Sequence, residues 1–133
     1  MSRANRISGK FGYGGVLIVP VELDGVLLRF IVDTGAAYCS VNRQALDKIV
    51  AEPTAEKRSI APIGKKVVDA PTLRIGNFVV GGLRAKNFLM SIIDFPAGFK
   101  IDGLLGMDFM GKYRIIIETD TAMLILREIP KKK

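Results

Sequence analysis

Apolar residues fall in short runs along this chain, and the gaps between runs carry turn chemistry. Val16-Leu17-Ile18-Val19 and Val21-Glu22-Leu23 read as one strand interrupted by Pro20, which predicts a sheet edge or a bulge there. Asp24-Gly25 is a two-residue hairpin signal, and it leads into Val26–Val32, apolar and β-branched enough for a buried strand. Ala45, Leu46, Ile49 and Val50 share a face at helical spacing, so residues 43–50 are expected to form a short helix capped by Ser40 or Asn42. Further strands are expected at 67–68, 72–75, 78–80 and 88–93, punctuated by Gly76-Asn77 and Gly81-Gly82. A loop follows at 94–100, and 101–106 returns to the core. Residues 108–112 predict one or two helical turns, and 113–118 with 122–126 a last hairpin. The order is mostly β with one or two short helices, which suits a small closed barrel.

Composition changes this picture little. The chain of 133 residues is long enough for one domain with a core that needs no staples. Its net charge of +7 is concentrated at the ends. Residues 1–10 and 127–133 together carry seven basic side chains against Glu128, while the remainder is nearly balanced. Residues 1–15 and 127–133 therefore read as flexible basic tails flanking a domain at 16–126. A nucleic-acid-binding barrel would use that charge, but no aromatics interleave with bases on a strand face, so no specific nucleic acid is expected. The first ten residues hold no apolar run of the secretory type, and no run is long enough for a membrane helix. A cytoplasmic protein is the expectation for a chain that is not an excised fragment.

Chemistry is narrowed mainly by what is missing. There is no histidine, which removes Ser-His-Asp and Cys-His catalysis. The single cysteine, Cys39, permits neither an internal disulfide nor a thiolate metal cluster, and it reads as a small packing residue. No metal or cofactor is expected. One polar cluster stands out, Asp33-Thr34-Gly35-Ala36, set directly after the buried strand. A strand ending this way can present a carboxylate at its tip, and the glycine permits a turn that a side chain would obstruct.

Asp33-Thr34-Gly35-Ala36 resembles the active-site signature of aspartic proteases. Ile101-Asp102-Gly103-Leu104-Leu105-Gly106, with Met107-Asp108-Phe109-Met110 after it, resembles the hydrophobic-hydrophobic-Gly element and short helix of the same family. Pepsin-type enzymes carry two signatures in one long chain; this chain carries one, so it is similar to the retropepsin branch, where a dimer supplies the second. The resemblance implies an acid-protease barrel and a homodimer. It implies an endopeptidase whose water is activated by an Asp33/Asp33 dyad, with Thr34 cross-linking the two loops and Gly35 offering its amide. Peptide or unfolded protein would be the substrate. Residues 52–70 would be the flap, with Ala61, Pro62, Ile63 and Gly64 at its tip and Ala36, Leu104 and Leu105 also against substrate. Two departures stand beside this. The flap segment is poor in glycine and contains Pro62. Viral retropepsins often pair an arginine near the second element with an acid just after the signature, whereas Met107-Asp108 and Ala37-Tyr38-Cys39 stand here, so bacterial-type members are closer. Asp102 is expected to serve a turn and Asp108 to cap a helix or form an ion pair. The alternative function is an inactive retropepsin-like module that dimerises or binds peptide.

Overall fold

A computed structural model describes residues 4–60 and 66–130. In chain order the strands are β1 (Ala4–Ser8), β2 (Lys10–Phe11), β3 (Leu17–Leu23), β4 (Val26–Val32), β5 (Ser40–Asn42), β6 (Glu52–Ile60), β7 (Val68–Val80), β8 (Leu83–Ile93) and β9 (Gly103–Leu105). The short helix α1 (Met107–Met110) follows, then β10 (Tyr113–Glu118) and β11 (Met123–Glu128). Neighbours β3-β4-β9-β5-β8-β7 close into a six-stranded barrel when β7 returns to β3 through Glu22 against Val79 and Leu23 against Phe78. β2 and β6 extend its rim, and β1-β11-β10 form a separate antiparallel sheet. Among the described residues no helix is long and apolar enough to cross a membrane.

Period-two alternation builds the barrel wall. In β3, Leu17, Val19, Val21 and Leu23 are buried, and in β4, Leu28 and Phe30 are buried while Leu27 and Arg29 face out. Inside, Phe78 stacks on Phe88 (4.4 Å between ring centres) and meets Phe109 (5.1 Å) and the edge of Phe30 (6.3 Å). Full burial of each such ring contributes roughly 1.5–3 kcal/mol. Pro20 lies exposed between the β2 pairing at Leu17–Ile18 and the β7 pairing at Glu22–Leu23, where that edge of β3 has no neighbour. A residue without an N–H costs nothing there.

Four expectations fail. The N-terminal tail is structured: Ala4–Ser8 pairs with 123–127 of β11, and Ile7 is buried. One inward apolar residue and an open strand edge outweigh the basic composition. At the other end, Arg127 and Glu128 belong to β11 rather than to a tail. Gly76-Asn77 is no break, because β7 runs straight through it. The Asp24-Gly25 turn, with both residues at positive φ, docks there, and the Asp24 carboxylate accepts from the Asn77 amide (2.7 Å) and the Gly76 amide (3.3 Å). The helix expected at 43–50 is a 3-10 segment, Arg43–Lys48, with Asn42 accepting from the Gln44 amide; Val50 is exposed rather than part of an inner face.

Candidate active site

The site begins where β4 ends. β4 runs antiparallel to β3 and parallel to β9, with Phe30, Ile31 and Val32 beside Gly103, Leu104 and Leu105. The Asp33 amide donates to the Leu105 carbonyl (3.0 Å), extending that ladder by one residue and fixing the backbone of the carboxylate. The chain then turns tightly: the Ala36 amide donates to the Asp33 carbonyl (3.2 Å) and the Gly35 amide to Asp33 Oδ1 (2.9 Å). A β-carbon on Gly35 would sit 3.3 Å from that oxygen and crowd it. Asp33 is half-buried, and Thr34 and Gly35 are exposed.

The second element holds this turn from below. β9 is threaded between β4 and β5, and Gly103 lies where a β-carbon would strike the Phe30 ring and the Ser40 carbonyl. At Gly106 a β-carbon would stand 2.7 Å from the Tyr38 backbone and 2.9 Å from the Ala36 carbonyl oxygen. Gly103 thus lets β9 lie close against Phe30 and β5, and Gly106 sets how closely the Asp33 loop and the start of α1 approach. Ala36 and Ala37 carbonyls accept from the Met107 amide (2.8 Å) and the Asp108 amide (3.0 Å).

Nearby carboxylates are committed to the fold. Asp102 does more than shape a turn: its Oδ2 accepts from the Arg29 amide and its own amide donates to the Arg29 carbonyl, both at 2.9 Å. Its Oδ1 pairs with Lys48 Nζ at 2.8 Å, and its carbonyl accepts from the Asn42 amide at 2.7 Å. Asp108 accepts from the Cys39 amide (2.9 Å) and lies 3.8 Å from Arg58 Nη1, the ion-pair role expected of it. Arg58 comes from β6 and stacks 4.0 Å from the Tyr38 ring centre. This link ties the β6–β7 hairpin to the loop after Asp33, and nothing in the charged stretch around Arg58 marked it in the sequence. Burial, and next the Asp108 charge, push the Cys39 thiol well above its usual range, so it stays protonated in the packed interior, where its sulfur accepts from the Gly106 amide (3.2 Å). Among the described residues no three metal-ligating side chains gather.

The other candidates divide. Ala36 stands half-buried beside Asp33. Leu105 does not face substrate: it is fully buried in the main core and serves the site through its carbonyl alone. Leu104 is half-buried against the outer cluster of Ile18, Ile31 and Ile101. Ala61, Pro62, Ile63 and Gly64 lie outside the described residues. Cavities of about 460 and 110 Å³ open beside the β1–β2 turn and beneath the 3-10 segment, and Asp33 lines neither.

A strand-end Asp-Thr-Gly loop braced by a threaded Gly-Leu-Leu-Gly strand is what the sequence resemblance called for, and a profile of aspartyl proteases matches residues 19–109. The chain belongs to the aspartyl protease family. It has the retropepsin-like fold, similar to that of a retropepsin-like aspartic protease from Rickettsia conorii. The two are 19% identical with a TM-score of 0.66, over 96% of this chain and 94% of that one. The retroviral protease-like domain of Ddi1 from Leishmania major matches at 20% identity and a TM-score of 0.45, over 77% of this chain and 81% of that one. No curated protein matches the chain.

Proposed function

We propose that the protein is an aspartic endopeptidase whose active site forms between two copies of the chain. The observation that carries this is the contrast in carboxylate commitment. Asp33 receives one local bond and stands at the edge of an exposed Thr34-Gly35 turn, while Asp102 and Asp108 are held by backbone amides and cations. Peptide hydrolysis needs one carboxylate to take a proton and one carboxyl to give one. One such aspartate per chain, Asp33, supplies half of that pair, and the partner's Asp33 supplies the other.

Two carboxyl groups brought together share one proton, because both cannot easily ionise at close range. The ionised member takes a proton from water as its oxygen attacks the scissile carbonyl carbon, and the protonated member gives its proton to the carbonyl oxygen. The member that took the proton from water then gives it to the peptide nitrogen as the C–N bond breaks, while the other takes a proton from a hydroxyl of the tetrahedral intermediate as that carbon becomes the new carboxyl, so the pair again shares one proton. The Gly35 amide keeps the carboxylate oriented throughout, and the exposed Thr34 hydroxyl is available to the facing loop. The β6–β7 hairpin, tethered through Arg58, covers bound peptide in this reading. The test is cleavage of an unfolded protein at mildly acid pH, with and without a pepstatin-type inhibitor. Inhibitable cleavage that Asp33→Asn abolishes supports the reading; cleavage unchanged in a folded Asp33→Asn variant contradicts it.

A further inference from the structure

The outer face of the β3–β4 hairpin is more apolar than a solvated strand face should be. Inward positions of both strands fill the core, and alternation leaves Ile18, Pro20, Leu27 and Arg29 on the outside. Ile18 is covered at one end by the outer cluster, but Pro20 is exposed and Leu27 is 68% exposed. These four residues, with Ser8 and Lys10 at the turn from β1 to β2, line the cavity of about 460 Å³. Its volume falls within the range of ligand sites. Between the β2 and β7 pairings the edge of β3 has no neighbour, which leaves the groove open from the side.

No acid lines this groove, and two cations stand across it. Among the described residues neither Lys10 nor Arg29 has an acidic side chain within ion-pair distance, whereas Arg43, Lys48, Arg58 and Arg74 each do. Glu22, on the same face of β3, lies at the far end, opposite Leu27 and away from Lys10. The Arg29 backbone is bonded to Asp102 through both its amide and its carbonyl, so its side chain projects from a fixed strand. Register gives the spacing. Lys10 lies opposite Ile18 and Arg29 opposite Pro20, so the cations are two strands and two residues apart. That is about 10 Å across the sheet and about 7 Å along it, or about 12 Å between backbones. In an extended peptide, residues four apart lie on one face and span about 13 Å, with one more residue of that face between them.

We propose that this groove is a second holding site for the protein substrate, taking an extended segment with an acid, an apolar residue and an acid at alternate positions. One acid pairs with Lys10 and the other with Arg29, and the apolar side chain between them covers Pro20 and Leu27. Exposed ion pairs are individually weak, so the contact adds affinity and leaves the chemistry unchanged. Arg29 stands four residues before Asp33, so one flexible chain can occupy the groove and the aspartate together. The proposal rests on the protease reading for the identity of the occupant and on the groove alone for its chemistry.

The probe is a fluorescein-labelled nonapeptide with Glu, Leu and Glu at alternate central positions in a Gly-Ser background, titrated by anisotropy against the full chain. It binds saturably, and replacing both Glu by Gln weakens it about tenfold. Lys10→Glu, Arg29→Glu and Leu27→Asp each weaken it about fivefold or more, with folding checked by circular dichroism. A peptide with Lys in place of both Glu recovers binding to the Lys10→Glu/Arg29→Glu double variant, which loss of structure would not allow. Arg84→Glu, on the exposed face of β8, leaves binding unchanged, and a pepstatin-type inhibitor does not displace the peptide. If Arg29→Glu fails to fold, the peptide substitutions and Leu27→Asp decide. No saturable binding at about 1 mM peptide, equal loss from Arg84→Glu, or displacement by the inhibitor overturns the proposal. Cleavage separates the two readings. Appending the same segment to an unfolded substrate lowers KM about fivefold in the parent but not in the double variant, with kcat unchanged. A chain that binds the peptide but cleaves nothing removes the protease and keeps the groove; a chain that cleaves with no gain in KM removes the groove as a substrate site.

Discussion

Asp33 and Asp102 flank the same strand and have opposite fates. Asp102, 9% exposed, is saturated: one oxygen holds the Arg29 amide, the other holds Lys48, and its own backbone is bonded on both sides. Asp33, at the open end of β4, accepts one amide from its own turn. A buried carboxylate with both oxygens engaged is a bracket; one with an uncommitted oxygen at an exposed turn is available for proton transfer. The difference lies in the partners each oxygen already has, and residue type gives no hint of it.

The sharpest way to break this comparison is to change each aspartate in turn. Asp33→Asn should lower kcat by about 10²–10⁴-fold, the contribution of a positioned proton carrier, with the unfolding midpoint nearly unchanged. Asp102→Ala should do the reverse. It leaves the Arg29 amide without its acceptor and removes the Lys48 pair, costing about 1–3 kcal/mol in urea unfolding, while folded protein keeps its activity. If Asp102→Ala inactivates without destabilising, the two roles have been assigned the wrong way round.

Thr34→Val tests a comparable energy at the exposed turn. Loss of the hydroxyl should weaken association by about 1–3 kcal/mol through an unsatisfied partner in the facing loop, with little effect on monomer stability. Sedimentation and rate should fall together; if neither changes, Thr34 faces solvent in the active species. Cys39→Ala should have the smallest effect, leaving kcat within about twofold because the buried thiol stays protonated and does no chemistry. In the parent, thiol reagents should label Cys39 only on unfolding.

The comparison also shows where sequence is informative. The Asp24-Gly25 hairpin, the β4 strand and the Asp-Thr-Gly turn were legible because each is encoded within a few adjacent residues. The pairing of Leu-Leu-Gly with the signature was legible through family resemblance, and the structure supplies its cause in the clashes a side chain would make at Gly103 and Gly106. What escaped depends on distant partners. Gly76-Asn77 stays in a strand because Asp24, some fifty residues earlier, binds its amides. Residues 4–8 are ordered because β11 offers an edge. β6 has little alternation, with mostly exposed positions, so only its pairing with β7 identifies it as a strand. Leu105 was assigned to substrate from its motif, and its place on the inward face of β9 buries it instead.

The central claim is that one chain holds half an active site, and mass action tests it directly. Initial rates are measured over about a hundredfold dilution, with molar mass taken by light scattering at each concentration. The account predicts specific activity that falls on dilution in step with the loss of dimer, and that is poisoned when excess Asp33→Asn chains are mixed in. Constant specific activity in a preparation shown to be monomeric would contradict it.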